Sequence, residues 1–369
     1  MDKLILLSEG IRIFKRRMSL RKNRIKEYKG NPEEIAGQII EDCWNGTYFQ
    51  TSAGHFQAFY IRDFAYSIKH LISLGYKERV KKTLEFAIGK YYEEKRITTT
   101  ITKKHKCVDV FAFSTDSLPL LLYSIDVCGC NHLIEKYRTF LNEQIEIYLN
   151  RVVDKGNFLV KPYRYFSTIK DNFLRYSSTY SNSMLALLKE EARKFKLKFK
   201  YDNIDYASLI KTKLWSGSYF YDSLKMKDPS GDANTFPYWT KTITDKEMFK
   251  KSYESIKAQE LDKPMPLRYT NKSAKSNLFF NLLVPNYEGD VVWIHLGLCF
   301  IDVLFEYSKK DAKEYLLMYR EKIKEYKNFL EVYNKNGKPY SSLFYFSDES
   351  LIWVSTYLDL YRKLVKIKH

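Results

Sequence analysis

Arg62 and Asp63 stand side by side in Phe59-Tyr60-Ile61-Arg62-Asp63-Phe64-Ala65-Tyr66-Ser67, where an apolar helical pattern begins. A carboxylate in the first turn of a helix is stabilised by the helix dipole. Asp63 placed there can accept two hydroxyls of a sugar. The same two residues also read as a capping Asp with a surface Arg, and the spacing supports both readings equally. Five tryptophans, Trp44, Trp215, Trp239, Trp293 and Trp353, each lie near the end of a predicted helix beside polar residues. Trp44 precedes Asn45-Gly46, and Trp239 follows a run that opens with Gly231-Asp232-Ala233-Asn234. Trp293 follows Glu288-Gly289-Asp290, and Trp353 follows Ser347-Asp348-Glu349. An indole beside a carboxylate or amide suits a sugar: the flat ring covers its C–H face and the polar groups take its hydroxyls. Any one of them taken alone reads more readily as a core tryptophan at a helix end; five such neighbourhoods in one chain shift the balance toward a sugar.

These residues need elements to hold them. Apolar stripes at i, i+3, i+4 and i+7 predict twelve helices. They lie near 32–44, 61–75, 77–93, 115–128, 131–151, 178–196, 203–213, 233–241, 245–259, 290–307, 309–328 and 348–366. Asn31-Pro32-Glu33-Glu34 opens the first with a cap and acidic residues. Gly75 closes the second, Ser114-Thr115-Asp116 caps the fourth, and Ser347-Asp348-Glu349 starts the last. Strand-like stretches are short: Arg96 to Thr102, a small hairpin over Gly156 to Tyr165, and Tyr340 to Phe346. The longest irregular stretch is about 260–289, and loops of that length are often functional. Twelve helices in consecutive hairpins can close into a double ring of six inner and six outer helices, with a pocket at one end. An open helical solenoid satisfies the same count.

Composition excludes several classes. The chain of 369 residues has 62 Lys and Arg against 44 Asp and Glu, a net +18 with its 6 His neutral. Aromatics make up 16 % and hydrophobic residues 45 %, which excludes disorder. With 14 Gly and 9 Pro the chain is not collagen-like. No apolar run reaches the roughly 18 residues of a membrane span. Leu4 to Leu7 is too short for a signal-peptide core, which predicts a cytoplasmic protein. Cys43, Cys107, Cys128, Cys130 and Cys299 lack zinc-site spacing and read as reduced, buried thiols. No cofactor and no metal is called for. Residues 12–29 hold nine basic side chains against Glu27 alone, a net +8. This segment reads as a solvated leader lying across the main body, or as an arm for nucleic acid or a membrane surface. A nucleic-acid partner is disfavoured because the segment lacks polar base-reading side chains.

Five stretches together resemble the six-hairpin glycosidases. This superfamily includes glucoamylases, the glucosidase part of glycogen debranching enzymes, trehalases and mannosylglycerate hydrolases. Phe59 to Ala87, FYIRDFAYSIKHLISLGYKERVKKTLEFA, is similar to their Arg-Asp segment. Ser114 to Leu122, STDSLPLLL, resembles their Asp-containing helix start. Tyr219 to Trp239, with SGDANTFPYW, resembles the segment before a later inner helix. Glu288 to Leu298, EGDVVWIHLGL, resembles a Gly-x-x-Trp-Pro helix start, with His295 near the usual proline. Glu331 to Trp353 resembles the Glu-x-Tyr-x-x-x-x-Gly…Trp pattern near the C-terminus. The similarity spans about residues 40 to 365.

The resemblance implies an all-α fold, an (α/α)6 toroid with a few short β-hairpins. Residues 1–30 would be a basic N-terminal helical segment and residues 31–369 a single catalytic barrel. It further implies a glycoside hydrolase of inverting type, glucoamylase-, debranching- or trehalase-like, cleaving an α-glucoside or related oligosaccharide. Such chemistry needs two carboxyl groups roughly 6.5–9.5 Å apart. Glu331 matches the general base, and Asp171, in KDNFLRYSSTYSNSMLALL, matches the general acid; Asp116 and Asp232 stay open for the acid. Arg62 and Asp63 would hold the non-reducing sugar, with Asp116, Asp232, Trp44, Trp239, Trp293 and Trp353 as further sugar contacts. The sequence lacks the Leu-Trp-Glu-Glu run of glucoamylases and has no room for the β-sandwich domain of many relatives. The partner expected is an oligosaccharide or small glycoside. Rival readings are a phosphorylase, an epimerase or a sugar-binding pseudoenzyme on the same fold, and a basic helical module that binds nucleic acid or protein.

Overall fold

The computed structural model describes residues 2–22, 25–162, 165–171, 173–272 and 283–366. A leading helix α1 (Asp2–Lys22) is followed by α2 (Pro32–Asp42), α3 (Ile61–Ser73), α4 (Lys77–Glu93), α5 (Ser117–Cys128) and α6 (Asn131–Val152). Then come α7 (Thr179–Lys194), α8 (Tyr206–Leu214), the single turn α9 (Phe236–Trp239) and α10 (Lys246–Ala258). The chain ends with α11 (Ile294–Tyr307), α12 (Lys309–Tyr326) and α13 (Val354–Lys366). Each of the twelve segments expected from periodicity overlaps one of α2 to α13.

The packing closes a ring, which periodicity left open. Helix α3 packs on α5, α5 on α7, α7 on α9, α9 on α11, α11 on α13, and α13 returns to α3. Outside this ring α4 packs on α3 and α5, α8 on α7, and α12 on α11 and α13, while α2 covers α13. The result is an (α/α)6 toroid. Inner helices must bury their whole circumference. In α11, eleven successive residues from Ile294 to Leu304 are buried. Helix α7 meets the same demand with a polar sequence, TYSNSMLALLKEEARK. There Ser183 donates to the Thr179 carbonyl and Asn182 to the Ser178 carbonyl, so the buried polar groups stay bonded.

Local capping explains several boundaries. Asn31 accepts from the backbone of Glu33 and Glu34, and Glu34 returns a bond to Asn31, a capping box before α2. Gly75 ends α3 with φ of 98°, a conformation that suits glycine. Three expectations need correcting. Helix α13 starts at Val354 rather than 348, because the Asp348 carboxylate accepts from the 52–56 loop rather than capping a helix. Helix α9 is shorter than 233–241, because the Asn234 side chain is engaged with Phe220 and Ser230. Gly156 to Tyr165 makes only an isolated bridge, Val153 with Val160, and residues 163–164 of it fall outside the described residues.

The strands gather at the N-terminal ends of inner helices. Strands β1 (Phe59–Tyr60), β2 (Thr100–Ile101) and β3 (Cys107–Val108) form an antiparallel sheet in that order, with Phe59 opposite Ile101 and Thr100 opposite Val108. Strand β1 runs directly into α3. Strand β4 (Val292–Trp293) pairs with β5 (Val332–Tyr333) and runs directly into α11. Bridges from Ser52 to Leu351, Ser114 to Ser167 and Arg268 to Val292 join further loops at this end. All five cysteines are buried free thiols. Among the described residues no helix is long and apolar enough to cross a membrane.

Candidate active site

The loops at the strand end enclose a cavity of about 790 Å³. Its wall includes Arg62, Asp63, Asp171, Glu288, Trp293, His295, Glu331 and Trp353. These residues come from the entry to α3, the loop before α7, the entry to α11 and the segments on either side of β5.

Asp63 opens α3, immediately after β1. The Trp353 indole N–H donates to its Oδ1 at 2.9 Å, which fixes the carboxylate and the ring against each other. Burial raises its pKa to about 7, against the opposing pull of Arg62 and the Trp353 bond. The neighbouring Arg62 is buried and turns the other way. Its Nε donates to Asp116 Oδ2 at 2.7 Å, and its NH1 lies 3.4 Å from both carboxylate oxygens of Asp171. Arg62 therefore ties the start of α5 to the loop before α7.

Asp171 keeps a quarter of its side chain accessible, 25 %, and accepts the Ser167 hydroxyl at 2.6 Å. Burial raises its pKa, with Arg62 and Ser167 opposing. Glu331 is 2 % exposed, at the edge of β5. Tyr287 donates to its Oε1 at 2.8 Å, the Asp348 backbone N–H donates to its Oε2 at 3.0 Å, and Tyr345 donates to Oε2 as well. Burial first, and the charge of Asp348 second, raise its pKa to about 8. Asp348 is itself held by the backbone N–H groups of His55 and Phe56, at 2.7 and 3.1 Å. Gly54 allows that approach, since a Cβ there would stand 2.8 Å from the Glu349 carbonyl.

His295 stands near the point where relatives were expected to carry proline. Tyr269 donates its one hydroxyl proton to the Ile169 carbonyl at 2.8 Å, so toward His295 Nε2, at 3.3 Å, it can only accept. His295 therefore carries its proton on Nε2 and presents a bare acceptor at Nδ1. That atom is buried and has no hydrogen-bond partner among the described residues. Burial, helped by Arg62, lowers the imidazole pKa to about 3, so the ring is neutral in ordinary buffers. Its ring packs 4.9 Å from that of Trp353.

The structure brings Arg62, Asp63, Asp171, Glu331, Trp293 and Trp353 onto one cavity, and places the other sequence candidates elsewhere. Asp116 lies behind Arg62, fully buried, where it also accepts from Tyr180 and Ser114 at 2.5 and 2.6 Å. Asp232 sits in a buried charge cluster, 2.6 Å from Arg175 NH1 and 3.6 Å from Lys170 Nζ. Trp239 packs on Tyr66 and Tyr123 with ring centroids 5.4 and 5.0 Å away. Trp44 is half-buried against Phe49 and under Arg79. An indole near a helix end with polar neighbours describes aromatic packing as well as it describes a sugar wall. Tyr287, Tyr345 and Glu288 were not singled out as site residues. Their one signal was proximity to the Glu288 and Ser347-Asp348-Glu349 runs that flank Trp293 and Trp353. Among the described residues no cluster of metal-ligating side chains occurs.

No family model and no curated protein matches the chain. Solved structures do. A Thermus thermophilus GH63 mannosylglycerate hydrolase, in complex with Tris and D-glycerate, superposes with a TM-score of 0.62 at 10 % identity, covering 90 % of this chain and 100 % of that one. A glycosidase solved in complex with glucose gives 0.61 at 10 % identity, over 97 % and 98 % of the two chains. A Klebsiella oxytoca rhamnosidase with rhamnose bound gives 0.60 at 12 % identity over 90 % of this chain, which spans 63 % of the rhamnosidase. At such identities the likeness is one of fold, and the fold is the six-hairpin toroid.

Proposed function

We propose that this six-hairpin toroid is a glycoside hydrolase of inverting type, in which Asp171 is the general acid and Glu331 the general base. The observation that carries this reading is the pair itself. Two carboxyl groups from loops far apart in sequence line one cavity, and burial pushes the pKa of both upward. An inverting glycosidase needs one carboxyl that keeps its proton and one that takes a proton from water. Asp171 protonates the leaving oxygen, and its accessible edge faces the cavity. Glu331 removes a proton from water on the opposite face of the sugar. The donors Tyr287, Tyr345 and the Asp348 backbone hold its ionised form in one orientation. Asp63 accepts two sugar hydroxyls, and His295 Nδ1 accepts a third. Trp293 and Trp353 supply ring surface.

Among the described cavity residues Arg62 is the cationic side chain, and Asp116 and Asp171 already hold it. A phosphorylase needs positive charge where its phosphate attacks, so water is the better-supported nucleophile. The substrate class is an α-glucoside or a related glycoside. Residues 31–369 form the catalytic unit in this reading, and residues 1–30 a segment laid across it. The five free thiols fit a reducing, cytoplasmic setting.

The test is hydrolysis of a panel of α- and β-glucosides, mannosides and rhamnosides by the wild type and Glu331→Gln. Turnover of one glycoside class, lost in the variant while the sugar still binds, is the expected result. Equal turnover by the variant would sink the base assignment.

A further inference from the structure

The cavity wall is of two chemical kinds. Arg62, Asp63, Asp171, His295 and Glu331 supply charged and hydrogen-bonding groups to it. Ile11 and Phe14 of α1, Phe111, Leu283, Val284 and Phe344 supply apolar surface to the same wall. None of these six side chains carries a hydrogen-bonding atom. Ile11, Phe14 and Phe111 line the cavity and are also 48, 38 and 51 % exposed, so they mark its opening. Large apolar side chains exposed together around one opening, rather than scattered singly, mark an interaction site.

The collar is attached to the body of the protein. The Phe14 ring lies 5.7 Å from that of Phe344, and Arg16 pairs with Glu349. Arg17 donates to the Ser342 carbonyl at 3.1 Å and to the Ser341 hydroxyl at 3.0 Å. Phe111 holds a left-handed φ of 64°, a conformation rare for a bulky residue and found where surroundings enforce it. A second sugar placed in this collar would lose its bonds to water and find no replacement on these side chains, which is unfavourable. A hydrocarbon chain there gains roughly fourfold in affinity for each methylene it buries.

We propose that this apolar part of the cavity takes a hydrocarbon aglycone, so that the substrate is an alkyl-type glycoside and not an oligosaccharide. This deepens the glycosidase reading and rests on it.

Methyl, butyl and octyl α-D-glucopyranosides, each below its micelle-forming concentration, test the collar, with maltose as the sugar aglycone. We expect kcat/KM to rise at least tenfold from methyl to octyl, with maltose below octyl. Phe14→Ser and Phe111→Ser should each lower the octyl-to-methyl ratio at least threefold. A flat series, or maltose as the best substrate, overturns the collar assignment and leaves the glycosidase reading standing. Should no member be hydrolysed, the glycosidase reading fails for glucosides. The collar is then judged by calorimetric titration of the same series: octyl must bind at least tenfold more tightly than methyl. Equal affinity, or no binding of octyl, overturns it.

Discussion

Asp348 acts on Glu331 from two sides. Its backbone N–H donates to Glu331 Oε2 at 3.0 Å, while its carboxylate charge adds to burial, the larger cause, in raising the Glu331 pKa to about 8. The first effect orients the Glu331 carboxylate and the second makes it more basic. Because Asp348 is anchored by the loop that leads into β1, Glu331 and Asp63 are built on a shared support.

The roles of the two carboxyl groups are separable by leaving group. Asp171→Asn and Glu331→Gln should each lower kcat by about 10³-fold on alkyl glycosides. On an aryl glycoside whose phenol leaves without a proton, Asp171→Asn should recover much of its loss, while Glu331→Gln should not. Steady-state kinetics on the two substrate types makes the comparison. Equal losses on both substrates for Asp171→Asn would remove it from the acid role.

The pH profile should report Glu331. A base with a pKa near 8 is protonated at neutral pH, so kcat/KM should rise with pH up to that region. Tyr345 donates to the ionised form and so lowers this pKa. Tyr345→Phe removes that support, and the limb assigned to Glu331 should move to higher pH. Movement to lower pH, or none, would contradict the assignment.

Asp63 should trade stability for binding. Its pKa rises from 3.8 to about 7 on folding, so the folded state binds the proton more tightly than the unfolded state. Stability is therefore lost as pH rises through this window, and ionised Asp63 destabilises the protein above it. Asp63→Asn should gain about 1–2 kcal/mol at pH 8, a gain that shrinks toward pH 4. Urea unfolding at several pH values measures it, and sugar binding should fall in the same variant. A stability gain that is constant with pH would show that the carboxylate charge is not its source.

Arg62→Leu should be severe for a different reason. It leaves Asp116 fully buried beside Tyr180 and Ser114 without its counter-charge. Breaking a buried pair from one side costs about 3–5 kcal/mol. Denaturant unfolding should show a loss of that order, and a loss under 1 kcal/mol would contradict the structural role given to the pair.

Much of the architecture was legible because helical burial writes itself into sequence every three to four residues. Each segment from 32–44 to 348–366 holds an observed helix. Closure of the ring was not legible, because α13 meets α3 through contacts that no local pattern encodes. The cavity was legible in part. Asp63, Asp171 and Glu331 were singled out and line the same cavity, but Trp44 and Trp239 pack against aromatic neighbours elsewhere. Asp232 reads like a site residue from its Gly-Asp-Ala-Asn setting, yet it neutralises Arg175 and Lys170 in the interior. The apolar collar was legible only in part. Ile11 and Phe14 stand at helical spacing, while Phe111, exposed in a loop, carries no periodic signal.

The central claim is that Asp171 and Glu331 act from opposite faces of the scissile bond, with water attacking directly. Proton NMR of the sugar released in the first seconds of hydrolysis tests this most directly. The account predicts that an α-glycoside yields the β-anomer first, with the α-anomer appearing only by mutarotation. The α-anomer as the first product would mean retention of configuration, and would contradict the account.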